Sequence, residues 1–193
     1  MSASRKGTLI VISGPSGVGK SSIIDAVLNR TMSEFSVSVT TRAPRPGETD
    51  GVDYHFLDRQ EFLDAVALDR VLEWAEYGGN LYGTLRDQVE TAIAGGSSVI
   101  LDIENDGAKQ VKRAFPEALL IFITPPNLEE LEKRLRGRGD TADEDVRKRL
   151  AVAALQIEQA PGLYDFVVEN SGLNVAIDQV LDILDLPGVS TRG

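Results

Sequence analysis

The glycine-rich stretch at residues 14–21 constrains the fold of this chain more than any other feature. It reads Gly-Pro-Ser-Gly-Val-Gly-Lys-Ser and matches the pattern GxxxxGK[ST] at every fixed position. A β-branched apolar run at residues 8–13 precedes it, and residues 20–30 follow with apolar side chains at helical spacing. The order strand, loop, helix is the context in which this pattern forms a phosphate-binding loop.

The residue types in this loop suit a nucleoside triphosphate with its metal ion. Glycines let backbone N–H groups converge on phosphate oxygens, and the amino terminus of the helix adds positive potential. Lys20 can reach the β- and γ-phosphates, and the Ser21 hydroxyl can hold Mg²⁺. A turn needed only for helix–strand packing would have no use for this ammonium and hydroxyl. The predicted ATP-binding residues are Gly14, Pro15, Ser16, Gly17, Val18, Gly19, Lys20, Ser21 and Ser22.

Strands and helices alternate along the rest of the chain. Predicted strands lie at residues 8–13, 35–39, 98–102, 119–124 and 166–168, and predicted helices at 20–30, 106–115, 128–136, 143–159 and 175–184. Continuous apolar strands separated by helices indicate a parallel sheet covered on both faces. The predicted fold class is therefore α/β, a three-layer sandwich with the P-loop NTPase fold.

The length of 193 residues favours one domain. Its core is expected at about 1–37, 87–133 and 150–193. Residues 38–86 are turn-rich and aromatic-rich, and they are interpreted as an insertion folded over the carboxyl edge of the sheet, where open α/β folds bind ligands. The Arg- and Gly-rich residues at about 134–149 are interpreted as a lid.

Composition narrows the partners and the compartment. The formal net charge of −10 argues against nucleic-acid binding, whereas local clusters of arginine suit a small, highly charged anion. No apolar run is long enough to cross a bilayer, and residues 1–6 lack the apolar core of a signal peptide. The chain has no cysteine, which fits a reducing compartment, so a cytosolic protein without membrane contact is expected. The oligomeric state stays open.

Asp102 follows the apolar run 98–101 and has two interpretations. A carboxylate at the end of a second strand can support the Mg²⁺ shell together with Ser21. An aspartate that caps the next helix would look the same in sequence.

Residues 38–86 carry long, ordered motifs behind the phosphate loop. They read SVTTRAPRPGE at 38–48, GVDYHF at 51–56, LEWA at 72–75 and GNLYGT at 79–84. This segment resembles the GMP-binding segment of guanylate kinases. The resemblance continues through LDIE at 101–104, TPP at 124–126, RLRGRG at 134–139 and KRL at 148–150, and it covers about residues 8–185.

The resemblance implies ATP-dependent, Mg²⁺-assisted phosphorylation of GMP, and of dGMP, to the diphosphate. The GMP-binding residues that it implies are Ser38, Arg42, Arg45, Tyr54, Glu73, Tyr82, Thr84, Asp102 and Glu104. The catalytic residues that it implies are Lys20, Arg42, Arg134, Arg138 and Arg149. By contrast, Arg136, Arg147 and Lys148 are interpreted as surface charges.

The implied acceptor site also makes chemical sense. Arginine forks and tyrosine hydroxyls suit a phosphate dianion, with Ser38, Arg42, Arg45, Tyr54 and Tyr82 around it. A carboxylate at Glu73 can accept from the N1–H and 2-amino groups of guanine, which adenine does not offer together. Trp74 is interpreted as a core aromatic.

This chain departs from the guanylate kinase pattern at two places. Leu81 stands where an aromatic is common, and Glu104-Asn105-Asp106 stands where an aspartate, an apolar residue and a glutamine are frequent. Glu104 keeps the carboxylate with one more methylene, so it is a less direct match for the second guanine contact.

Two other functions stay open at this point. The chain could be a P-loop kinase for another small acceptor, such as AMP or a pyrimidine monophosphate. It could also be a guanylate-kinase-like interaction module without catalysis, although such modules have degraded phosphate loops and this loop is complete.

Overall fold

The computed structural model of the chain describes residues 7–137 and 143–186. The strands are β1 (Leu9–Ser13), β2 (Ser33–Phe35), β3 (Val39–Thr40), β4 (His55–Phe56), β5 (Val71–Tyr77), β6 (Asn80–Leu85), β7 (Ser98–Asp102), β8 (Leu119–Thr124) and β9 (Phe166–Glu169). The helices are α1 (Lys20–Arg30), α2 (Arg59–Ala67), α3 (Arg86–Ala94), α4 (Asn105–Ala114), α5 (Leu128–Arg136), α6 (Asp143–Gln159) and α7 (Leu173–Leu184), with a 3₁₀ turn at Ala160–Gly162.

The main sheet has five parallel strands in the order β2-β7-β1-β8-β9. Strand β1 lies in the centre and is buried along its whole length. Because its neighbours on both sides run parallel to it, the carboxyl ends of β1, β7 and β8 meet at one edge. The phosphate loop leaves β1 at this edge.

Side chains of β1 alternate between two hydrophobic cores. Ile10 and Ile12 pack in the core that α1, α5 and α7 cover, whereas Leu9 and Val11 pack in the core that α3 and α4 cover. Helices therefore cover both faces of the parallel sheet. The predicted three-layer α/β fold is confirmed.

A second sheet of four strands, in the order β4-β3-β6-β5, lies within residues 39–85. It has its own small core, formed by Val39, Phe62, Val71 and Leu81. Leu81 is fully buried there, which explains why an aliphatic side chain serves at this position. The inserted segment predicted from the turn-rich sequence is thus a folded sheet with helix α2.

The single strand predicted at residues 35–39 is wrong. The chain forms β2 in the main sheet, leaves it after Ser36, and enters the second sheet at β3. Ser36 N donates to Ile100 O, the last bond to the main sheet, and Val39 then pairs with Gly83. Local sequence does not show which of two sheets a strand joins. Helices α2 and α3 were not predicted either.

The other predicted strands and helices are confirmed within two residues at each end. No helix within residues 7–137 and 143–186 combines the length and apolar character needed to span a bilayer.

Candidate active site

The phosphate loop joins β1 to α1 and leaves the amino end of the helix accessible. Within the described chain, the first turn of α1 contains no acidic residue and no side chain caps it. Lys20 Nζ folds back to donate to Gly14 O at 2.6 Å. A helix amino end without a side-chain cap and an ammonium lie at one place, and both can bind phosphate oxygens.

Asn170 holds this loop by a hydrogen bond to its backbone. It follows β9, its side chain is buried, and its Nδ2 donates to Val18 O at 2.7 Å. Gly19 has φ of 101°, and a Cβ there would lie 2.7 Å from the same Nδ2. Glycine at position 19 therefore permits both the left-handed backbone and the close approach of Asn170. Nothing in the local sequence marks Asn170 for this role.

Asp102 ends β7, beside the phosphate loop. Its Oδ1 lies 3.8 Å from Lys20 Nζ. Burial raises the pKa of the Asp102 carboxyl, and Lys20 partly opposes this shift. The N-cap of α4 is Glu104, so the alternative that Asp102 caps the helix is wrong.

Ser21 and Asp102 line one small cavity of about 170 Å³. A hydroxyl and a carboxylate are oxygen ligands of the kind that Mg²⁺ prefers, and Mg²⁺ normally takes its other ligands from water and phosphates. In the part of the chain that the structure describes, no group of three or more His, Cys, Asp or Glu side chains could hold a metal ion. Ser21 and Asp102 thus offer two oxygen ligands of a type that suits Mg²⁺.

A second cavity, of about 340 Å³, opens between the two sheets. Six of the nine predicted GMP-binding residues line it: Ser38, Tyr54, Glu73, Tyr82, Asp102 and Glu104. Asp102 lines both cavities, so the cavity with Ser21 and the cavity with Glu73 adjoin at this residue.

Glu73 is the buried carboxylate of the second cavity. The register of β5 against β6 shifts between Val71 and Glu73, and such an irregularity can redirect a side chain. Only 5% of Glu73 is exposed, and Thr84 Oγ1 donates to its Oε1 at 2.7 Å. Burial raises the pKa of Glu73 to about 7, and the Thr84 hydrogen bond partly opposes this.

Arg42 lies beside this cavity without lining it. Its guanidinium stands 5.3 Å from the ring centroid of Tyr54, and it donates to both carboxylate oxygens of Glu48. Glu48 also accepts from the backbone N–H of Arg45 at 2.7 Å. These contacts, with the Arg42 hydrogen bonds first, lower the pKa of Glu48. The Arg45 residue itself is exposed.

The predicted catalytic arginines have different surroundings. On α5, Arg134 Nη2 donates to Asn170 O at 3.0 Å and Nη1 donates to Val18 O at 3.4 Å, so it already contacts the phosphate loop and its support. Arg149 is exposed on α6. Arg138 lies outside the described residues.

The charges interpreted as surface pairs lie on the surface. Arg136 pairs with Glu132 and Asp143, and Lys148 pairs with Glu144. Trp74 differs from its prediction as a core residue. It lies on edge strand β5 with 37% of its surface exposed, although its ring still meets Phe62 edge-on.

A cavity of about 760 Å³, larger than the cavity lined by Glu73, lies between residues 34–37 and α3. None of the predicted site residues lines it. Cavity size alone would thus have pointed away from the residues predicted to form the site.

Comparison with known proteins supports the resemblance along almost the whole chain. The family model described as guanylate kinase matches residues 6–186. The chain is 51% identical to the guanylate kinase of Thermus thermophilus over 93% of this chain and 81% of that protein. It is 48% identical to the guanylate kinase of Bacillus subtilis, over 93% of this chain and 88% of that one.

A solved structure agrees. The crystal structure of guanylate kinase from Anaplasma phagocytophilum superimposes with a TM-score of 0.75 at 35% sequence identity, covering 93% of this chain and 85% of that one.

Proposed function

The chain belongs to the guanylate kinase family, and from this premise we propose how its residues divide the work of phosphoryl transfer. The enzyme catalyses ATP-dependent phosphorylation of GMP to GDP. Because the acceptor is an already ionised phosphate, the reaction needs no general base. The catalytic task is to align the two nucleotides and neutralise their charge.

One observation carries the proposal: the loop side and the acceptor side share Asp102. Asp102 lines both the cavity with Ser21 and the cavity with Glu73. A donor held at the phosphate loop and an acceptor held between the two sheets would therefore present their phosphates to each other near Asp102 and Lys20. This supports direct transfer between two bound nucleotides.

On the donor side, we propose that residues 14–22 hold the triphosphate of ATP. Backbone N–H groups of the loop and of the first turn of α1 bind the phosphate oxygens. Lys20 Nζ donates to Gly14 O, at the start of the phosphate loop. When ATP binds, the ammonium would leave this carbonyl and donate to the β- and γ-phosphates instead. Asn170 keeps Val18 and Gly19 in the required shape.

On the acceptor side, Glu73 is proposed to accept from guanine, with Thr84 fixing one of its oxygens. Ser38, Tyr54 and Tyr82 line the same cavity, and Arg42 stacks on Tyr54, so these residues are proposed to bind the GMP phosphate with Arg45. Glu104 is proposed as the second residue that contacts guanine. Adenine would leave Glu73 without the donors that guanine supplies, and this loss would lower the preference for adenine relative to guanine by about 10⁴-fold.

The metal ion is part of the proposal as well. Ser21 and Asp102 would hold Mg²⁺ beside the phosphates, directly or through water. The bound ion supplies neutralisation of the phosphate charge during transfer. Asp102 also faces Lys20, so the carboxylate can orient the ammonium when the site is filled.

Arg134, Arg138 and Arg149 are proposed to complete the site when the lid at about 134–149 closes, which would also exclude water. The contact of Arg134 with Val18 O and Asn170 O supports this for Arg134. We further propose that residues 38–86 act as the GMP-binding segment and that residues at about 1–37, 87–133 and 150–193 form the core of a single domain.

The predicted GMP contacts involve the phosphate and the base but not the ribose 2′-hydroxyl, which supports use of dGMP as well as GMP. ATP and GMP are the proposed partners, and the cysteine-free composition supports a cytosolic location.

The test is a coupled assay of ADP release with GMP, dGMP, AMP and UMP as acceptors. GMP and dGMP should be turned over far faster than AMP, and EDTA should abolish the reaction until Mg²⁺ is restored in excess. Asp102→Asn should weaken the dependence on Mg²⁺ and lower turnover. Faster turnover with AMP than with GMP would overturn the assignment of Glu73.

A further inference from the structure

Helix α4 backs directly onto the strand that carries Glu73. Gln110 Nε2 donates to Trp74 O at 2.9 Å, and Trp74 N donates to Gln110 Oε1 at 3.2 Å. Strand β5 is an edge of the second sheet. The Gln110 amide therefore supplies the two hydrogen bonds that a further strand would have made, at the residue next to Glu73.

Gly107, one turn earlier on α4, touches the Glu73 carboxylate itself. A Cβ at position 107 would lie 2.5 Å from Glu73 Oε2 and 3.3 Å from its Cδ. Real Cβ atoms do not approach another atom to 2.5 Å, so any side chain here would force the carboxylate to move. Glu73 Oε1 is bonded to Thr84, so a turn of the carboxylate would also disturb that hydrogen bond.

Glycine at this position has no evident backbone reason. Position 107 lies within a regular helix, where alanine is the more favourable residue, and its φ is not in the left-handed region. The reason for the missing side chain is the close approach of Glu73. Gly107 is therefore expected to matter for the position of the Glu73 carboxylate and not for the formation of helix α4.

We propose that α4 sets the position of the Glu73 carboxylate for guanine recognition, with Gly107 leaving the room for Oε2 and Gln110 fixing the backbone beside it. This inference rests on the proposed contact between Glu73 and guanine. Gly107 and Gln110 are then positioning residues, since both act on the base through the placement of Glu73.

The test compares Gly107→Ala with Gly162→Ala as a matched control. Gly162 lies in the 3₁₀ turn, and a Cβ there would meet no atom within 4 Å. Gly107→Ala should raise the KM for GMP by about ten- to a hundredfold, as a misplacement approaching 1 Å can cost about a hundredfold. The KM for ATP should stay within twofold. Tm should change little, because the gain in helix propensity from glycine to alanine offsets a disturbed Thr84 hydrogen bond. Gly162→Ala should leave all three unchanged.

Selectivity gives a readout that a purely structural role would not move. Inosine monophosphate differs from GMP only in lacking the 2-amino group. A misplaced Glu73 carboxylate should therefore lower the ratio of kcat/KM for GMP to kcat/KM for inosine monophosphate. Glu73→Gln should raise the KM for GMP much less in the Gly107→Ala background than in the wild type. The reason is that the Gly107→Ala variant has already displaced the carboxylate that Glu73→Gln removes. Gln110→Leu should show the same pattern to a smaller extent.

The outcomes are distinguishable. Gly107→Ala with unchanged KM for GMP, beside an impaired Glu73→Gln, overturns the role of Gly107 and leaves the guanine contact intact. An unimpaired Glu73→Gln overturns the contact on which the inference rests. A Gln110→Leu variant that lowers Tm but keeps the wild-type KM for GMP removes Gln110 from the proposal.

Discussion

Glu48 holds the guanidinium of Arg42 by two hydrogen bonds, with Nη1 donating to Oε2 at 2.9 Å and Nη2 donating to Oε1 at 2.8 Å. Their side chains are only 14% and 17% exposed, so the pair is shielded from solvent. The same carboxylate accepts from Arg45 N, which ties the turn at residues 42–48 together. Glu48 stands in the motif SVTTRAPRPGE, yet only the folded turn shows that it contacts Arg42.

The first prediction concerns this pair. Glu48→Gln should raise the KM for GMP about tenfold, because Arg42 loses a two-point, charge-assisted partner that fixes its direction. The KM for ATP should not change. Asp69→Asn is the control, since it disrupts the pair of Arg86 with an aspartate whose side chain is 82% exposed, where ion pairs contribute little. Tighter GMP binding by Glu48→Gln would mean instead that Glu48 competes with the substrate phosphate.

The second prediction follows from the ionisation of Glu73. Burial raises its pKa to about 7, and only the ionised carboxylate can accept two hydrogen bonds from guanine. Four other acidic residues line the same cavity, and no Lys or Arg of the described chain lines it. The four are Glu76, Asp102, Glu104 and Asp106. The KM for GMP should therefore rise as pH falls from 8 to 6. The variant Glu73→Gln should lack the part of this dependence centred near 7, which a KM profile against pH would measure.

The third prediction concerns stability. The Glu73 pKa rises from an ordinary 4.5 to about 7, so the native state favours the protonated form and loses stability as pH rises through this range. Glu73→Gln should accordingly raise the free energy of unfolding at pH 8 by about 1–3 kcal/mol, and much less at pH 4.5. Urea unfolding at both pH values checks this. Equal effects at the two pH values would show that the charge of Glu73 is not the cause.

The fourth prediction addresses Asn170. Asn170→Ala leaves Val18 O without its 2.7 Å donor and opens space beneath Gly19. Val18 O would keep the longer 3.4 Å bond from Arg134, so the phosphate loop would lose its close support. The KM for ATP should therefore rise about tenfold, while the KM for GMP changes little. Asn29→Ala is the matched control, because Asn29 also donates its amide to a backbone carbonyl but lies exposed on α1. Equal KM values for ATP in the two variants would contradict the role of Asn170.

The fifth prediction separates two arginines of α5. Arg134→Ala should lower turnover about 10³-fold, by analogy with arginine fingers, because Arg134 contacts the backbone around the phosphate loop. Arg136→Ala should stay within twofold, because Arg136 pairs only with Glu132 and Asp143 on the surface of the described chain. Single-turnover rates would compare the chemical step in both. Similar losses of single-turnover rate in both variants would indicate that any positive charge on α5 has this effect.

The sequence alone determined the fold class and predicted the donor site. A loop of fixed spacing between an apolar run and a helical pattern is a local feature, and local features are what a sequence displays directly. The long segment from Ser38 to Thr84 carried the resemblance that named the acceptor. Most boundaries of strands and helices in the parallel core were predictable, because continuous apolar runs there alternate with helical spacing.

The tertiary structure alone decided how distant residues combine. The path of residues 35–39 between two sheets depended on pairing with Ile100 and Gly83, far along the chain. Asp102 proved to lie between two cavities and not on a helix cap. The contact of Gly107 with Glu73 and the support of the loop by Asn170 are likewise long-range. Local sequence records which residues are present, but burial and close approach between separate elements exist only once the sheet and helices have packed.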